Sequence, residues 1–135
     1  MTDLAVRGIR GATTVTENNK IAILKETREL LINLKDKNRF ETEEIVSIFF
    51  SMTPDLNAAF PAAAARQLGW NNVPLFGVQE SDVENTLKMC IRILIHINTN
   101  KLQGEIKHCY LNKAVMLRKD LMNKDEESKN DSDNG

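Results

Sequence analysis

An isoleucine occupies every second position from 91 to 97 within residues 88–98 (KMCIRILIHIN), a spacing too regular for a helix. β-Branched residues at every second position predict a strand with one face committed to a core, because successive side chains point to opposite sides of a sheet. Arg92 lies in the middle of the other face, where a guanidinium needs an anion, a carboxylate partner or water. We therefore predict that this strand is the centre of the sheet and that Arg92 is central to function. The core face would carry Ile91, Ile93, Ile95 and Ile97, and the other face Cys90, Arg92, Leu94, His96 and Asn98.

A first strand is predicted over residues 5–15, which are rich in β-branched side chains but contain two glycines, Gly8 and Gly11. Glycine inside a strand often marks close approach by another backbone or by a ligand. Regular alternation would place Arg7 and Arg10 on opposite faces, so at most one of them joins any given site.

The remaining elements follow from changes of period along the chain. Spacings of three, four and seven between apolar residues predict an amphipathic helix over 18–37, capped by Thr16 or Asn18. Residues 45–52 are apolar on both faces, which is typical of a strand buried on both sides. The other predicted elements are a short helix over 61–68, an edge strand over 73–76, one helical turn over 83–87 and a last strand over 106–117.

Two helices can cover only one face of a five-stranded sheet, although the predicted strands are apolar on both faces. We therefore predict an α+β fold, in which a five-stranded mixed β-sheet carries helices on one face. The simplest way to bury the second face is to pack it against another copy of the chain. We infer an obligate homo-oligomer with sites formed between subunits.

Composition limits the class of protein. The 135 residues fit one domain, predicted over 1–122, and the polar residues 123–135 are predicted to be a disordered tail. Without that tail the chain holds 16 basic and 14 acidic residues, and a net charge of +2 is too small for a nucleic-acid surface. No apolar run approaches the ~20 residues of a membrane span and no export signal is visible, so we expect a cytoplasmic protein without a membrane partner.

The usual catalytic motifs are absent from the sequence. There is no glycine-rich phosphate loop, no nucleophile elbow and no zinc spacing among the cysteines and histidines, so no metal site is expected. Cys90 and Cys109 are expected to be buried free thiols, and His96 and His108 to be structural. What remains is a set of arginines, one tyrosine and a loop glutamate, which suits binding of a carboxylate-bearing molecule.

Several separate motifs, in order along the chain, resemble the monofunctional chorismate mutases of the trimeric, pseudo-α/β-barrel type. The resemblance spans about residues 6–121. It rests on residues 7–15 (RGIRGATTV), 53–62 (TPDLNAAFPA), Arg66, 69–70 (GW), 73–74 (VP), 79–80 (QE), 90–92 (CIR) and 108–111 (HCYL).

This resemblance implies an isomerase that converts chorismate to prephenate, on the pathway to the aromatic amino acids, by a [3,3] rearrangement without cofactor or covalent intermediate. It also implies a homotrimer in which packed sheets form the pseudo-α/β barrel and neighbouring subunits share each site. In such enzymes the ether bond breaks ahead of carbon–carbon bond formation, so a preorganised cation at the ether oxygen stabilises the transition state more than the substrate.

The resemblance assigns roles to individual residues. Arg92 would contact the ether oxygen and a carboxylate, and Glu80 would accept from the ring hydroxyl close to the developing positive charge. Arg10 would bind a carboxylate, with Tyr110 as an added donor, and Arg66 would guard the entrance. Apolar walls would come from Phe60 and Leu117, and backbone groups from Leu75, Phe76 and Gly77.

Structural interpretations of the same residues stay open at this point. Arg92 could form a salt bridge between subunits, Glu80 could cap the turn at Ser81, Tyr110 could be an interface aromatic and Phe60 could be core. Arg7, Arg28 and Arg118 are by default solvated, although Arg118 lies close in sequence to the pocket wall.

Three positions depart from the pattern of the family. Ala63 stands where relatives often have a lysine near the entrance, Gly77 where a cysteine is usual, and Phe76 where a small polar residue is common. Loss of a peripheral cation weakens capture of a dianion, so we predict reduced affinity before reduced chemistry. An alternative function is a non-catalytic trimer that binds a small carboxylate.

Overall fold

The computed structural model describes residues 3–117, which form a mixed five-stranded sheet with two α-helices. This confirms the predicted α+β fold. No helix in this range is long and apolar enough to cross a membrane. The predicted tail over 123–135 and Arg118 lie outside the described residues, so the division at residue 122 stays a prediction. The strands are β1 (Ala5–Thr14), β2 (Ile45–Met52), β3 (Leu75–Gln79), β4 (Cys90–Thr99) and β5 (Cys109–Tyr110), and the helices are α1 (Lys20–Asn38) and α2 (Ala62–Gln67).

The strand order is β3-β2-β4-β1-β5, so the alternating stretch forms the central strand, as predicted. β4 pairs antiparallel with β1 on one side and with β2 on the other, whereas β1 pairs with β5 and β2 with β3 in parallel. Every second residue of β4, from Ile91 to Ile97, is buried. The core face and the open face of β4 are therefore those that the alternation predicts.

Both helices pack on one face of the sheet, where the main core lies. Leucines at helical spacing on α1 face the sheet, and α2 contributes small alanines that let it lie close. Asn19 caps α1 by accepting a hydrogen bond from the Ala22 N–H at 2.8 Å, so the predicted caps, Thr16 and Asn18, are wrong. Asn18 accepts instead from the backbone N–H groups of Asn57 and Ala58.

The second face of the sheet is covered by neither α1 nor α2, and among the described residues only the short helical segment over 112–117 packs over its end, against Ala12 and Cys90. β2 alternates between buried and exposed positions, so the prediction that it is buried on both sides is wrong for the single chain. Val46 and Phe49 of β2 are 39% and 38% exposed. Neighbouring strands add Val6, Phe76, Val78 and Leu94 to the same open face. One chain therefore leaves an extended apolar surface in water.

The predicted last strand over 106–117 is wrong in length, because only Cys109–Tyr110 pair as β5. Asn112 adopts a left-handed φ of 54° and starts a 3₁₀ helix. Its side-chain Nδ2 donates to Thr13 Oγ1 at 3.0 Å and to the Thr14 carbonyl at 3.2 Å. These bonds fold the segment back over the end of β1 and stop the pairing.

Two smaller predictions also change. The helical turn predicted over 83–87 is wrong, since that loop makes a non-helical turn in which Asn85 has a φ of 62°. The strand predicted over 73–76 exists as an edge strand, but β3 begins at Leu75 and ends at Gln79. Cys90 and Cys109 are buried free thiols, as predicted.

Gly11 shows why β1 needs a glycine at this position. A Cβ built at Gly11 would lie 2.8 Å from Leu34 Cδ1 and 3.2 Å from Leu30 Cδ1, both on α1. The missing side chain therefore lets the helix approach the strand that carries Arg10. The sequence predicted close approach by a backbone or a ligand, whereas the two nearest atoms belong to leucine side chains.

We expect Gly11→Ala to lower the free energy of unfolding by about 1–3 kcal/mol, because the added methyl overpacks the contact between β1 and α1. Chemical denaturation measures the change. Gly104→Ala is the matched control, since a Cβ there meets nothing within 4 Å; its effect should stay within about 0.5 kcal/mol. Equal stability of the two variants would contradict the packing argument.

Candidate active site

A row of side chains crosses the open face of the sheet at the level of Arg92. Arg92 pairs with Ser51 of β2 on one side and with Ala12 of β1 on the other, and the row ends at Val78 and Tyr110 on the two edge strands. Arg10 belongs to the next row, opposite Leu94. The registers therefore bring residues from all five strands to one patch.

This patch is the floor of a cleft of about 540 Å³, which we call the arginine cleft. The cleft gathers five of the predicted site residues: Arg10, Glu80, Arg92, Tyr110 and Leu117. It combines two guanidinium groups and a phenol with a single carboxylate. Such a set has an excess of positive charge and several hydrogen-bond donors, so it can bind an anion that also carries a hydroxyl.

Arg92 and Glu80 form a loose ion pair. Arg92 Nε lies 3.8 Å from Glu80 Oε2, and the side chains are 44% and 27% exposed. That distance is longer than a hydrogen bond. The same Oε2 accepts a hydrogen bond from Ser51 Oγ at 2.6 Å. Glu80 follows directly after β3, and its N–H donates to the Met52 carbonyl, which fixes the base of the side chain beside β2.

Cys90 lies in β4 two residues before Arg92 and stays a neutral thiol. Burial raises the pKa of Cys90, and the positive charge of Arg92, which acts in the opposite direction, does not cancel that effect. The thiol therefore neither neutralises the guanidinium nor offers a thiolate nucleophile.

His108 supports the backbone that carries Arg10. The Arg10 N–H donates to His108 Nδ1 at 2.9 Å, so the ring is held as an acceptor there. Burial lowers the pKa of His108, and the charge of Arg10 lowers it further. His96 contacts Ser47 and the ring of Phe49. Both contacts agree with the structural role predicted for the histidines.

Three of the other predicted site residues, Phe60, Arg66 and Gly77, lie in a separate cleft. A second cleft of about 790 Å³, which we call the Phe60 cleft, is lined by Phe60, Arg66, Gly77 and Ala63. Phe60 is 78% exposed, so it is not a core residue of the single chain. The two clefts adjoin at β3, because Val78 and Gln79 line both. One chain thus carries two groups of predicted site residues on either side of its edge strand.

Leu75 and Phe76 line neither cleft. Leu75 is partly buried against the main core, and Phe76 is 60% exposed on the open face, edge-on to Phe49. Their backbone belongs to β3, an edge strand in the described chain, so half of its polar groups point away from β2. Those groups are available to a ligand or to another chain.

Two residues of the clefts were missed by reasoning from the sequence. Ser51 stands in the row beside Arg92, and Lys20 lines the Phe60 cleft with Arg66. Neither has a signal in the linear pattern, because a serine in an apolar strand and a lysine at a helix start are both common. Among residues 3–117, no group of three or more potential metal-ligating side chains is present.

Comparison with known proteins gives consistent matches over nearly the whole chain. The family model described as chorismate mutase type I matches residues 6–121. Chorismate mutase AroH of Bacillus subtilis is 45% identical over 119 residues, which is 87% of this chain and 94% of that protein. Chorismate mutase AroH of Thermus thermophilus is 46% identical over 117 residues, 86% of this chain and 96% of that protein.

A solved structure agrees with the matched fold. The chorismate mutase from Clostridium thermocellum superposes with a TM-score of 0.80 at 48% sequence identity, covering 81% of this chain and 97% of that one.

The lowered pKa of His108 predicts a pH-dependent stability. The folded protein binds a proton at His108 less readily than the unfolded chain, so stability is full above about pH 6.5, the ordinary pKa of histidine, and falls as the pH drops through the lower folded value. His108→Asn keeps an acceptor near Arg10 but does not titrate. We therefore expect a smaller loss of melting temperature for this variant than for the wild type between about pH 8 and pH 5.

His96→Asn is the control for this measurement, because it removes the other histidine and leaves the bond between Arg10 and His108 intact. Its melting temperature should follow the pH dependence of the wild type. Parallel curves for wild type and His108→Asn would contradict the assignment.

Proposed function

We propose that this chain, which belongs to the chorismate mutase type I family, is an isomerase that converts chorismate to prephenate without a cofactor. The observation that carries the proposal is the arginine cleft, in which Arg92 lies on the central strand with Glu80, Arg10 and Tyr110 around it. Chorismate is a dianion with a ring hydroxyl and an ether oxygen, and the cleft offers complementary groups for each.

In the proposed mechanism Arg92 is the electrostatic catalyst. Negative charge grows on the ether oxygen as its bond to the ring breaks, and a fixed guanidinium stabilises that charge more in the transition state than in the substrate. β4 is hydrogen-bonded to strands on both sides, so the base of the arginine side chain does not have to reorganise. A planar guanidinium can also contact a carboxylate of the substrate at the same time.

The other groups of the arginine cleft orient the substrate. Arg10 binds a carboxylate from β1, and Tyr110 donates its hydroxyl from β5 on the far side of the same cleft. Glu80 accepts from the ring hydroxyl and lies near the ring fragment, where positive charge develops. Leu117 forms an apolar wall. Holding the reacting carbons in contact removes the entropy cost of reaching the compact conformer.

We further propose that the protein is a homotrimer and that each active site joins the arginine cleft of one subunit to the Phe60 cleft of its neighbour. Three observations support this arrangement: the uncovered apolar face of the sheet, the exposure of Phe60 and the free edge of β3. A head-to-tail contact that closes into a ring uses two different surfaces of each subunit, as these clefts would be. Arg66 then guards the entrance beside Phe60, and the backbone of Leu75, Phe76 and Gly77 contacts the substrate.

The expectations of a cytoplasmic location and of neither nucleic-acid nor membrane partners stay predictions.

The central test replaces Arg92. We expect Arg92→Ala to lower kcat by at least about 10²–10³-fold, the cost of removing a preorganised donor at a developing oxyanion. Arg92→Lys should also fail, because a point charge cannot span two acceptors. Loss of chorismate absorbance on adding purified protein measures turnover.

Arg28→Ala is the matched control for this test, since Arg28 hydrogen-bonds Gln67 on the helical side of the molecule and lines neither cleft. It should keep full turnover. Full activity of Arg92→Ala would overturn the mechanism. Tight binding of a bicyclic dicarboxylate transition-state mimic by a wild-type protein without turnover would overturn the proposed enzyme and favour a carboxylate-binding protein.

The shared site is tested by mixing two inactive variants. Arg92→Ala disables the arginine cleft, and Phe60→Glu places a negative charge against the dianion in the Phe60 cleft. If neighbouring subunits share each site, co-refolded mixtures should regain about a quarter of the wild-type activity, because random assembly pairs two intact halves in that fraction of sites. Light scattering checks the trimer, and separately refolded samples mixed without exchange are the control. No regain of activity in verified mixed trimers would contradict the sharing.

A further inference from the structure

Ser51 stands next to Arg92 in the row that crosses the arginine cleft. It lies on β2 directly opposite Arg92 of β4, and both side chains point to the open face. Its Oγ donates to Glu80 Oε2 at 2.6 Å, which is short for a hydroxyl and a carboxylate and is typical of a strong, charge-assisted bond. Ser51 is therefore the side chain that links the acid of the cleft to the sheet.

The bonded oxygen is the one that faces Arg92. Glu80 Oε2 lies 3.8 Å from Arg92 Nε, beyond hydrogen-bond distance, while it accepts the short bond from Ser51. A carboxylate and a guanidinium this close would otherwise form direct charge-assisted hydrogen bonds. Such a direct pair would engage the guanidinium donors before any substrate arrives.

We propose that Ser51 is a positioning residue that holds the Glu80 carboxylate back from Arg92, so that the guanidinium donors stay free for the substrate. This inference rests on the proposed function, because it matters only if Arg92 meets an anionic substrate. Ser51 itself is not required to touch the reacting atoms. Its effect passes through the position of Glu80.

The chain offers a matched control on the same strand. Ser47 also lies on β2, its cross-strand partner is His96 of β4, and its Oγ is 3.2 Å from His96 Nδ1. Neither residue lines the arginine cleft. Ser47→Ala therefore removes the same hydroxyl from the same strand without touching Glu80 or Arg92.

In Ser51→Ala, Glu80 is free to close on Arg92 and offset its charge. That pairing weakens the contact to the ether oxygen, which strengthens only in the transition state, so kcat should fall about tenfold while KM changes less than about threefold. Ser51→Thr keeps the hydroxyl, and its β-branched side chain suits a strand, so this variant should keep at least about half of the wild-type kcat. Ser47→Ala should match the wild type in both constants.

A double-mutant cycle separates positioning from a structural role. Glu80→Gln removes the negative charge that would close on Arg92, so adding Ser51→Ala to this slower variant should lower kcat by less than about twofold. Ser51→Cys, which keeps the size of the side chain but is a weak donor, repeats the measurement if Ser51→Ala does not assemble. Melting temperature is recorded for each variant.

The outcomes are distinguishable. The inference is overturned if Ser51→Ala turns over like Ser47→Ala, if Ser51→Thr is as slow as Ser51→Ala, or if the tenfold loss persists in the Glu80→Gln background. Those results would leave the proposed function intact, since the wild type would still convert chorismate. A wild-type protein without turnover would instead overturn the proposed function, and the inference with it.

Discussion

The backbone pairing of β4 on both sides is the constraint on which the rest of the structure depends. Cys90 at the start of the strand is fixed by Thr53, which accepts from its N–H through Oγ1 at 2.9 Å and donates its own N–H to the Cys90 carbonyl at 3.0 Å. Asp55 accepts from the N–H of Met89 at 2.9 Å and holds that residue in a left-handed conformation. Arg92 follows within three residues of these anchors, so hydrogen bonds on both sides of the strand start fix the backbone that carries it.

The period of two lets a single strand serve stability and chemistry at once. The isoleucines of β4 are buried under the helices, and each contributes about 1.5–3 kcal/mol relative to an exposed side chain. The residues between them point to the open face, where Arg92 is held among groups that only partly neutralise it. The stability gained by packing the core face thus offsets the free-energy cost of holding an incompletely paired guanidinium on the open face.

The pattern of residues predicted structural features that depend on a single segment of the chain. It failed to predict features that depend on contacts between two segments distant in sequence. The alternation around Arg92 was sufficient to predict β4, its two faces and its central place. β5 was predicted too long because the left-handed turn at Asn112 depends on acceptors from β1, which are far away in sequence. Ser51 was missed because its role comes from the register between β2 and β4, and that register includes an irregularity between Ile45 and Ser47 that composition does not reveal. Arg10, Glu80 and Tyr110 were assigned through resemblance to a family, and the registers explain why residues so far apart in sequence meet in one cleft.

The three positions predicted to depart from the pattern of the family lie apart from the central arginine. Ala63 and Gly77 line the Phe60 cleft, and Phe76 lies on the open face outside both clefts. Charged groups at the rim of a site interact about equally with the dianionic substrate and with its transition state. A cation at the ether oxygen, in contrast, interacts more strongly as the bond breaks. In the proposed enzyme we therefore expect changes in the Phe60 cleft to alter KM and the rate of capture more than kcat. Because each group of residues occupies its own cleft, the sequence of the entrance can vary without disturbing the arrangement of Arg92, Glu80 and Ser51.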